Sequence, residues 1–132
     1  MAAKFIIKLK REKEYQFYLQ NEAGEHIVDG MDIYSTVDEC RAGIDLVLAN
    51  LNMHTMDRTI GMVDVEMPRY ELFLDKAGHF RFRIRMEEKK VMALAPGMPN
   101  KPAAQESLAQ YKELAATAEI EVIETREIKK EV

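Results

Sequence analysis

Strict alternation of apolar and cationic residues marks the stretch FRFRIR at Phe80–Arg85. A period of two places successive side chains on opposite faces of an extended chain, so this stretch predicts a β-strand with one buried face. Similar alternation occurs in YELFL at Tyr70–Leu74, in FIIKL at Phe5–Leu9 and in YQFYL at Tyr15–Leu19. Each of these segments is predicted to be a strand whose aromatic and branched side chains face a core.

The four segments form two pairs that superpose when the chain is shifted by about 65 positions, which places Phe5 on Tyr70. A short polar connector separates the two segments of each pair, at 10–14 and at 75–79, and each connector can close an antiparallel hairpin. An internal repeat of this kind dictates the architecture of a protein. The sequence therefore predicts two units, at 1–67 and 68–124, followed by a charged tail at 125–132.

Each unit continues with a third strand, a helix of three- and four-residue apolar spacing, and a final strand. These elements are predicted at 25–29, 36–51 and 58–66 in the first half, and at 90–95, 101–115 and 118–124 in the second. Thr36 with Glu39 is typical of a capping box, and Asn100 is expected to cap the second helix. We predict an α+β fold of two β-β-β-α-β units with both helices on one face of a mainly antiparallel sheet. The units should share one core, because half of this chain alone buries too little surface.

Composition excludes several classes of protein. The chain has 132 residues, of which 47% are hydrophobic and 32% charged, as is typical of a globular domain. Its net charge of -4 gives no overall attraction to nucleic acid or anionic membranes. Cys40 is the only cysteine, so no intramolecular disulfide can form, and no apolar run approaches the roughly 20 residues that span a bilayer. We expect a soluble cytoplasmic protein.

The first half contains FYLQNEAGEHI at 17–27, YST at 34–36 and GIDLV at 43–47. This order of aromatic strand, turn, helix entry and helix core resembles the YegP-like family of short bacterial domains of unknown function, which often occur as tandem repeats. The resemblance implies one sheet in which the two units exchange their final strands, with a monomer as the natural product. It implies no activity and no cofactor. The second half is a degenerate copy, because Met98 and Ser107 stand where the pattern has Tyr and Gly.

The best local candidate for a site is the side of the predicted sheet that faces away from the helices. Arg81, Arg83 and Arg85 all project to that side, because the residues between them face the core. The predicted hairpin places Phe73 opposite Arg81 and Glu71 opposite Arg83. A sheet face with cations and aromatic rings can hold single-stranded nucleic acid, because the rings stack on bases and the cations meet phosphates.

The first half can add Lys8 and Tyr18 to the same side. The candidate anion or nucleic-acid site therefore comprises Arg81, Arg83, Arg85, Lys8, Tyr18 and Phe73. A simpler interpretation is structural. In that case Glu71 pairs with Arg83, and Phe73 stacks under Arg81.

Other candidate chemistry is weaker. Cys40 lies in the apolar stripe of the first helix, so we expect a buried and inert thiol. The three histidines are not at ligand spacing, so we expect no metal and no cofactor. The polar loop Asp29–Tyr34 is the best candidate for an enzyme site, because loops often carry function.

Three hypotheses of function remain open. The first is a non-catalytic module that binds a ligand or partner, and its support is the absence of a catalytic constellation. The second is binding of single-stranded nucleic acid or another polyanion through the arginine-bearing face. The third is an enzyme that uses the Asp29–Tyr34 loop.

Overall fold

The computed structural model describes residues 3–61, 65–87 and 90–124. The predicted tail at 125–132 lies outside them. The described elements are β1 (Lys4–Arg11), β2 (Glu14–Gln20), β3 (His26–Gly30), α1 (Val37–Leu48), β4 (Thr55–Asp57), β5 (Arg69–Leu74), β6 (Phe80–Glu87), β7 (Lys90–Leu94), α2 (Lys101–Thr117) and β8 (Glu119–Ile123).

All eight strands belong to one open sheet with the order β4-β5-β6-β7-β3-β2-β1-β8. The inner neighbours are antiparallel, including β3 and β7, which join the two halves of the chain. The two edge strands are parallel to their neighbours, since β8 pairs with β1 and β4 pairs with β5. The α+β class and the open sheet follow the sequence-based prediction.

One core lies between the sheet and the helices. The alternating positions of the four long strands contribute the fully buried side chains Phe5, Ile7, Phe17, Leu19, Tyr70, Leu72, Phe82 and Ile84. Cys40, Ile44 and Val47 of α1 join the same cluster as Ala104, Leu108 and Tyr111 of α2. Because both helices contribute to one cluster, they cover the same face of the sheet.

Two inward positions of the predicted alternation do not reach the core. Leu74 was expected to face the helices, but it is 54% exposed, because it ends β5 beyond the last residue of β4. Leu9 lies at the corresponding end of β1 and is only partly buried. The ends of the first strand in each half therefore extend past the core.

The final strand of the first half is earlier and shorter than predicted. Sequence patterning indicated 58–66, whereas β4 is Thr55–Asp57, and residues 62–64 lie outside the described ones. The Asp57 carboxylate accepts hydrogen bonds from the Thr59 backbone N–H at 2.9 Å and from its hydroxyl at 2.6 Å. This local turn ends the strand, because an Asp side chain that binds the backbone two residues ahead replaces the next ladder bond.

Both predicted helix caps are present. The Thr36 hydroxyl accepts the Glu39 N–H at 3.1 Å, and the Asn100 side chain accepts the Ala103 N–H at 2.9 Å. The Glu39 carboxylate returns to Ser35 rather than to Thr36, and accepts from its N–H at 3.2 Å and from its hydroxyl at 2.8 Å. Each helix start is therefore fixed by side chains next to it in sequence.

Tyr34 and Gly43 pack against each other in the first half of the chain. Tyr34 exchanges two backbone hydrogen bonds of 2.8 Å with Tyr15, and its ring stacks beside Phe17 at 6.4 Å. A Cβ atom at Gly43 would lie 2.9 Å from Cζ of Tyr34 and closer still to its hydroxyl. Glycine at 43 therefore makes room for the tyrosine.

Candidate functional site

The outer face is the side of the sheet that faces away from the helices. Strand register aligns one row of outward residues across it: Met56, Glu71, Arg83, Leu94, Asp29, Tyr18, Ile6 and Glu121. Glu71 and Ile6 in this row are as buried as the core, with 0% and 1% exposure. The outer face is thus partly packed rather than uniformly solvated.

The six candidate residues lie on this face in two separate groups. Phe73, Arg81, Arg83 and Arg85 belong to β5 and β6, which form the second-half group. Lys8 and Tyr18 belong to β1 and β2, which form the first-half group. Three strand spacings separate β2 from β6, or about 14 Å.

Glu71 is the centre of the second-half group. Its carboxylate accepts hydrogen bonds of 2.7 Å from Arg69 Nε and from Arg83 Nε, and Arg85 Nε lies 3.1 Å away. The Arg69 guanidinium also donates to the carbonyl of Val65. One carboxylate charge cannot neutralise both Arg69 and Arg83, so positive charge remains on this part of the face.

The arginines decide the ionisation of Glu71. Burial alone would raise the pKa of its carboxyl, but hydrogen bonds from Arg83 and Arg69 hold that pKa below its usual range. The group is therefore a carboxylate at neutral pH. Sequence reasoning predicted only the Arg83 partner, since Arg69 lies two residues earlier on the same strand and Arg85 lies diagonally across from Glu71.

The other contacts of the arginines differ from the expected pairing. Arg83 lies over the Phe73 ring, with Cζ 4.3 Å from the centroid, whereas Arg81 was expected there. Arg81 instead donates to the Ala95 carbonyl at 2.8 Å and lies 3.4 Å from the Asp75 carboxylate. The register was predicted correctly, but side chains of this length also reach diagonal neighbours.

A surface depression of about 650 Å³ adjoins Phe73 and Arg83, and we call it the β5-edge pocket. Its lining combines four apolar residues, three cations and one threonine: Ile60, Phe73, Leu74, Phe80, Arg58, Arg83, Lys101 and Thr59. Lys101 lies 2.6 Å from the Asp57 carboxylate. Arg58 is exposed, and among residues 3–61, 65–87 and 90–124 its guanidinium has no ion pair.

Sequence reasoning missed Arg58 as a site residue because it placed Arg58 inside a strand. The signal that could have found it is Asp57 followed two residues later by Thr59, which predicts a turn directly after the strand. Burial would raise the pKa of Asp57, but its hydrogen bonds to Lys101 and Thr59 lower it on balance, so the turn is held by a carboxylate.

A second depression, of about 510 Å³, occupies the corresponding place beside β1 and the start of α1, and we call it the β1-edge pocket. Three of its lining residues correspond to residues that line the β5-edge pocket: Leu9 to Leu74, Tyr15 to Phe80 and Val37 to Lys101. Its charged lining is Glu12, Lys13, Asp38 and Glu124. The two pockets therefore differ in sign.

The first-half group has a small groove of about 220 Å³ that includes Lys8, Lys10 and Tyr18. The Tyr18 ring stacks on His26 at 3.9 Å, and His26 Nδ1 lies 2.6 Å from the Asp29 carboxylate. This groove offers a stacked pair of rings beside two lysines.

The Asp29–Tyr34 loop does not gather its carboxylates around one point. Asp29 belongs to β3 and pairs with His26, whereas Asp32 lies 2.9 Å from Lys90 Nζ. Within the described part of the chain, no group of three or more His, Cys, Asp or Glu side chains is arranged to hold a metal ion. Cys40 is fully buried as predicted, and burial raises the pKa of its thiol to about 11.

None of the helices in the described ranges has both the length and the apolar character needed to cross a membrane.

Comparison with known proteins identifies relatives that carry no assigned activity. No family profile matches the chain. A UPF0339 protein from Methanosarcina acetivorans is 31% identical over 58 residues, which are 44% of this chain and all of that protein. The solution structure of yegP from E. coli, a protein of unknown function, has a TM-score of 0.74 at 17% identity, covering 96% of this chain and 97% of that one.

A second solution structure, of a UPF0339 protein from Shewanella oneidensis, has a TM-score of 0.71 at 16% identity, covering 94% of this chain and 93% of that one. At these identities the two structures show a shared fold and nothing about a ligand. The full-length match to the Methanosarcina protein shows the family. The chain belongs to the UPF0339 protein family.

Proposed function

We propose that this protein is a non-catalytic binding module whose ligand is single-stranded nucleic acid held on the outer face. The observation that carries the proposal is the layer of Arg83 on Phe73, 4.3 Å apart, beside the exposed Arg58. An aromatic ring next to cations suits a base and its phosphate. In the part of the chain that the structure describes, we find no nucleophile, base and orienting group brought together as an enzyme site requires.

The two groups of the outer face suit an extended ligand better than a small one. Tyr18 with Lys8 and Phe73 with Arg83 each offer a ring beside a cation, and the strands that carry Tyr18 and Arg83 are three spacings, or about 14 Å, apart. A strand of nucleic acid can bridge that distance. We assign Arg69 and Arg81 a structural role, because each donates to a backbone carbonyl as well as to a carboxylate.

The test is fluorescence anisotropy of a labelled oligothymidylate at low and moderate salt. Binding should weaken as salt rises, because phosphate contacts release counterions. Lys8→Glu should weaken binding several-fold, whereas Arg41→Glu on α1 makes the same change of net charge on the helix side and should have little effect. Absence of binding at low salt, or equal loss in both variants, would contradict the proposal.

We also propose that the chain is a tandem duplication of units at 1–67 and 68–124 with exchanged final strands. Support comes from the pairing of β8 with β1 and of β4 with β5. The backbone pairs Tyr15–Tyr34 and Phe80–Met98 occupy equivalent positions. The Methanosarcina relative, matched along its whole length, accounts for only 44% of this chain, which suits one unit.

Fragment 1–67 tests this division, because it keeps β2 but lacks β8, the strand that covers the other edge of β1. It should show no cooperative thermal transition as a monomer. A monomeric fragment with a sharp transition would contradict the exchange. For the intact chain we expect a monomer by sedimentation, and a cytoplasmic location stays a prediction.

A further inference from the structure

We infer that the β5-edge pocket is a subsite for one nucleotide, in which the base packs on the Phe73–Arg83 layer and Arg58 binds the phosphate. This inference rests on the proposed function and specifies where one nucleotide of the ligand lies.

The lining of the pocket indicates a ligand with an apolar part. Ile60 and Leu74 are large apolar side chains that are 75% and 54% exposed, and both line this pocket. Phe73 and Phe80 add two aromatic rings. A space of about 650 Å³ is larger than a bare phosphate needs and lies in the ordinary range for small organic ligands.

The charges of the pocket identify Arg58 as the group that binds an anion. The charge of Lys101 is matched by Asp57 at 2.6 Å, and that of Arg83 is shared with Glu71 at 2.7 Å. Arg58 is exposed and has no ion pair within the described ranges. A guanidinium group can bind a phosphate through two parallel hydrogen bonds.

The backbone holds Arg58 in a defined place. Its N–H donates to the Leu72 carbonyl at 2.9 Å, and the Asp57–Thr59 turn follows at once. The guanidinium therefore extends from a fixed point at the end of β4 rather than from a free loop. A positioned binding group loses less entropy on binding.

The β1-edge pocket is a control within the same molecule. It lies at the corresponding place in the fold, but Glu12, Asp38 and Glu124 would repel a phosphate, and Lys13 is the one cation among the described residues that line it. The inference therefore predicts binding at one pocket and none at the other.

The experiment is a titration of the ¹⁵N-labelled chain with adenosine 5′-monophosphate, followed by amide chemical shifts. Saturable shifts should appear at Arg58, Thr59, Phe73 and Leu74, and not at Leu9 or Tyr15. Arg58→Ala should weaken binding about tenfold, the loss expected for one charge-assisted hydrogen bond. Arg41→Ala removes the same charge from α1 and should leave the affinity unchanged.

The base is tested separately from the phosphate. Phe73→Leu should weaken binding of the nucleotide at least about fivefold, as for loss of base stacking. The same variant should leave binding of ribose 5-phosphate unchanged. Equal affinity of Arg58→Ala and the unmodified chain, or shifts spread over both pockets, would overturn the subsite.

A titration with oligothymidylate separates the two proposals. If the oligonucleotide binds but the mononucleotide leaves Arg58 and Phe73 unshifted, the outer-face function stands and the subsite is wrong. If neither ligand binds, both proposals fail. Binding of both ligands with the expected loss in Arg58→Ala supports the subsite.

Discussion

The two edge pockets occupy corresponding places in the fold but carry opposite charge. The charged residues that line the β5-edge pocket are Arg58, Arg83 and Lys101, whereas Glu12, Lys13, Asp38 and Glu124 line the β1-edge pocket. In both, a leucine and an aromatic ring at the ends of neighbouring strands form the apolar part. The backbone therefore sets where these pockets lie, whereas a few exposed side chains set the charge of what they can bind.

The two halves of the outer face also differ at a buried position, which is occupied by Ile6 in the first half and by Glu71 in the second. Glu71 of β5 and Ile6 of β1 both lie in the central row of the face and are both inaccessible to solvent. Ile6 is opposite Tyr18, whereas Glu71 is opposite Arg83 and is held by arginines. The first half thus packs this position with apolar groups, and the second half fills it with charge.

The largest expected effect tests whether the two halves share one core. Phe17→Ala and Phe82→Ala each remove a fully buried ring from the same cluster, so each should lower the free energy of unfolding by about 3 to 5 kcal/mol. Urea unfolding followed by circular dichroism should remain two-state for both variants. A variant in which one half unfolds while the other keeps its own transition would contradict the shared core.

The core of this fold is largely predictable from sequence because strand alternation and helix periodicity agree in both halves. Phe17, Phe82 and Tyr70 all face the core as their alternation requires. The hairpin register that pairs Glu71 with Arg83 was also correct. These features depend on neighbours in sequence, which a pattern can detect.

The site was less predictable, because it depends on diagonal and edge contacts. Nothing in the alternation of β6 says that Arg83 rather than Arg81 lies over Phe73. The exposure of Leu74 and the placing of Arg58 both follow from where β4 ends. That end is set by a single turn at Asp57, which apolar periodicity does not detect.

The next largest loss of stability is expected when the buried carboxylate of Glu71 is removed from the outer face. Glu71→Gln removes the carboxylate that Arg69 and Arg83 share, so it should lower the free energy of unfolding by about 3 kcal/mol. The matched control is Glu121→Gln on β8, whose side chain is 46% exposed in its pair with Lys4 and should change little. Equal effects of the two variants would remove the contrast between the halves.

The stabilising effect of the Glu71 carboxylate should depend on pH. Since the pKa of Glu71 is lowered in the folded state, its carboxylate stabilises the fold above the pH at which an unfolded glutamate titrates, about 4.3. That contribution is lost as the pH falls toward the folded pKa. The stability difference between the unmodified chain and Glu71→Gln should therefore shrink below pH about 4.3, measured by urea unfolding at several pH values.

A smaller loss of stability is expected when the glycine of α1 that packs against Tyr34 is replaced by serine. Gly43→Ser places a side chain against the Tyr34 ring and should cost about 1 to 3 kcal/mol, as overpacking does. The second half tolerates Ser107 at the corresponding position, where Met98 replaces the tyrosine. The double variant Tyr34→Met/Gly43→Ser should therefore be more stable than the sum of its single variants predicts, by at least about 0.5 kcal/mol in thermal unfolding. Additive losses would show that the two positions are independent.

The smallest expected effect concerns the first-half counterpart of the arginine cluster. Lys4 aligns with Arg69 when the sequence is shifted by 65 positions, and its Nζ lies 2.9 Å from Glu121 with about half of each side chain exposed. The Glu121 hydrogen bond raises the pKa of Lys4, but an exposed pair is screened by water and salt. Lys4→Ala should therefore change the free energy of unfolding only slightly, and the change should fall further at high salt. Arg69→Ala is the matched variant, and it should cost several times more because its partner Glu71 is fully buried. A cost for Lys4→Ala as large as that for Arg69→Ala would mean that both halves of the outer face depend on charge, and the contrast drawn between Ile6 and Glu71 would be lost.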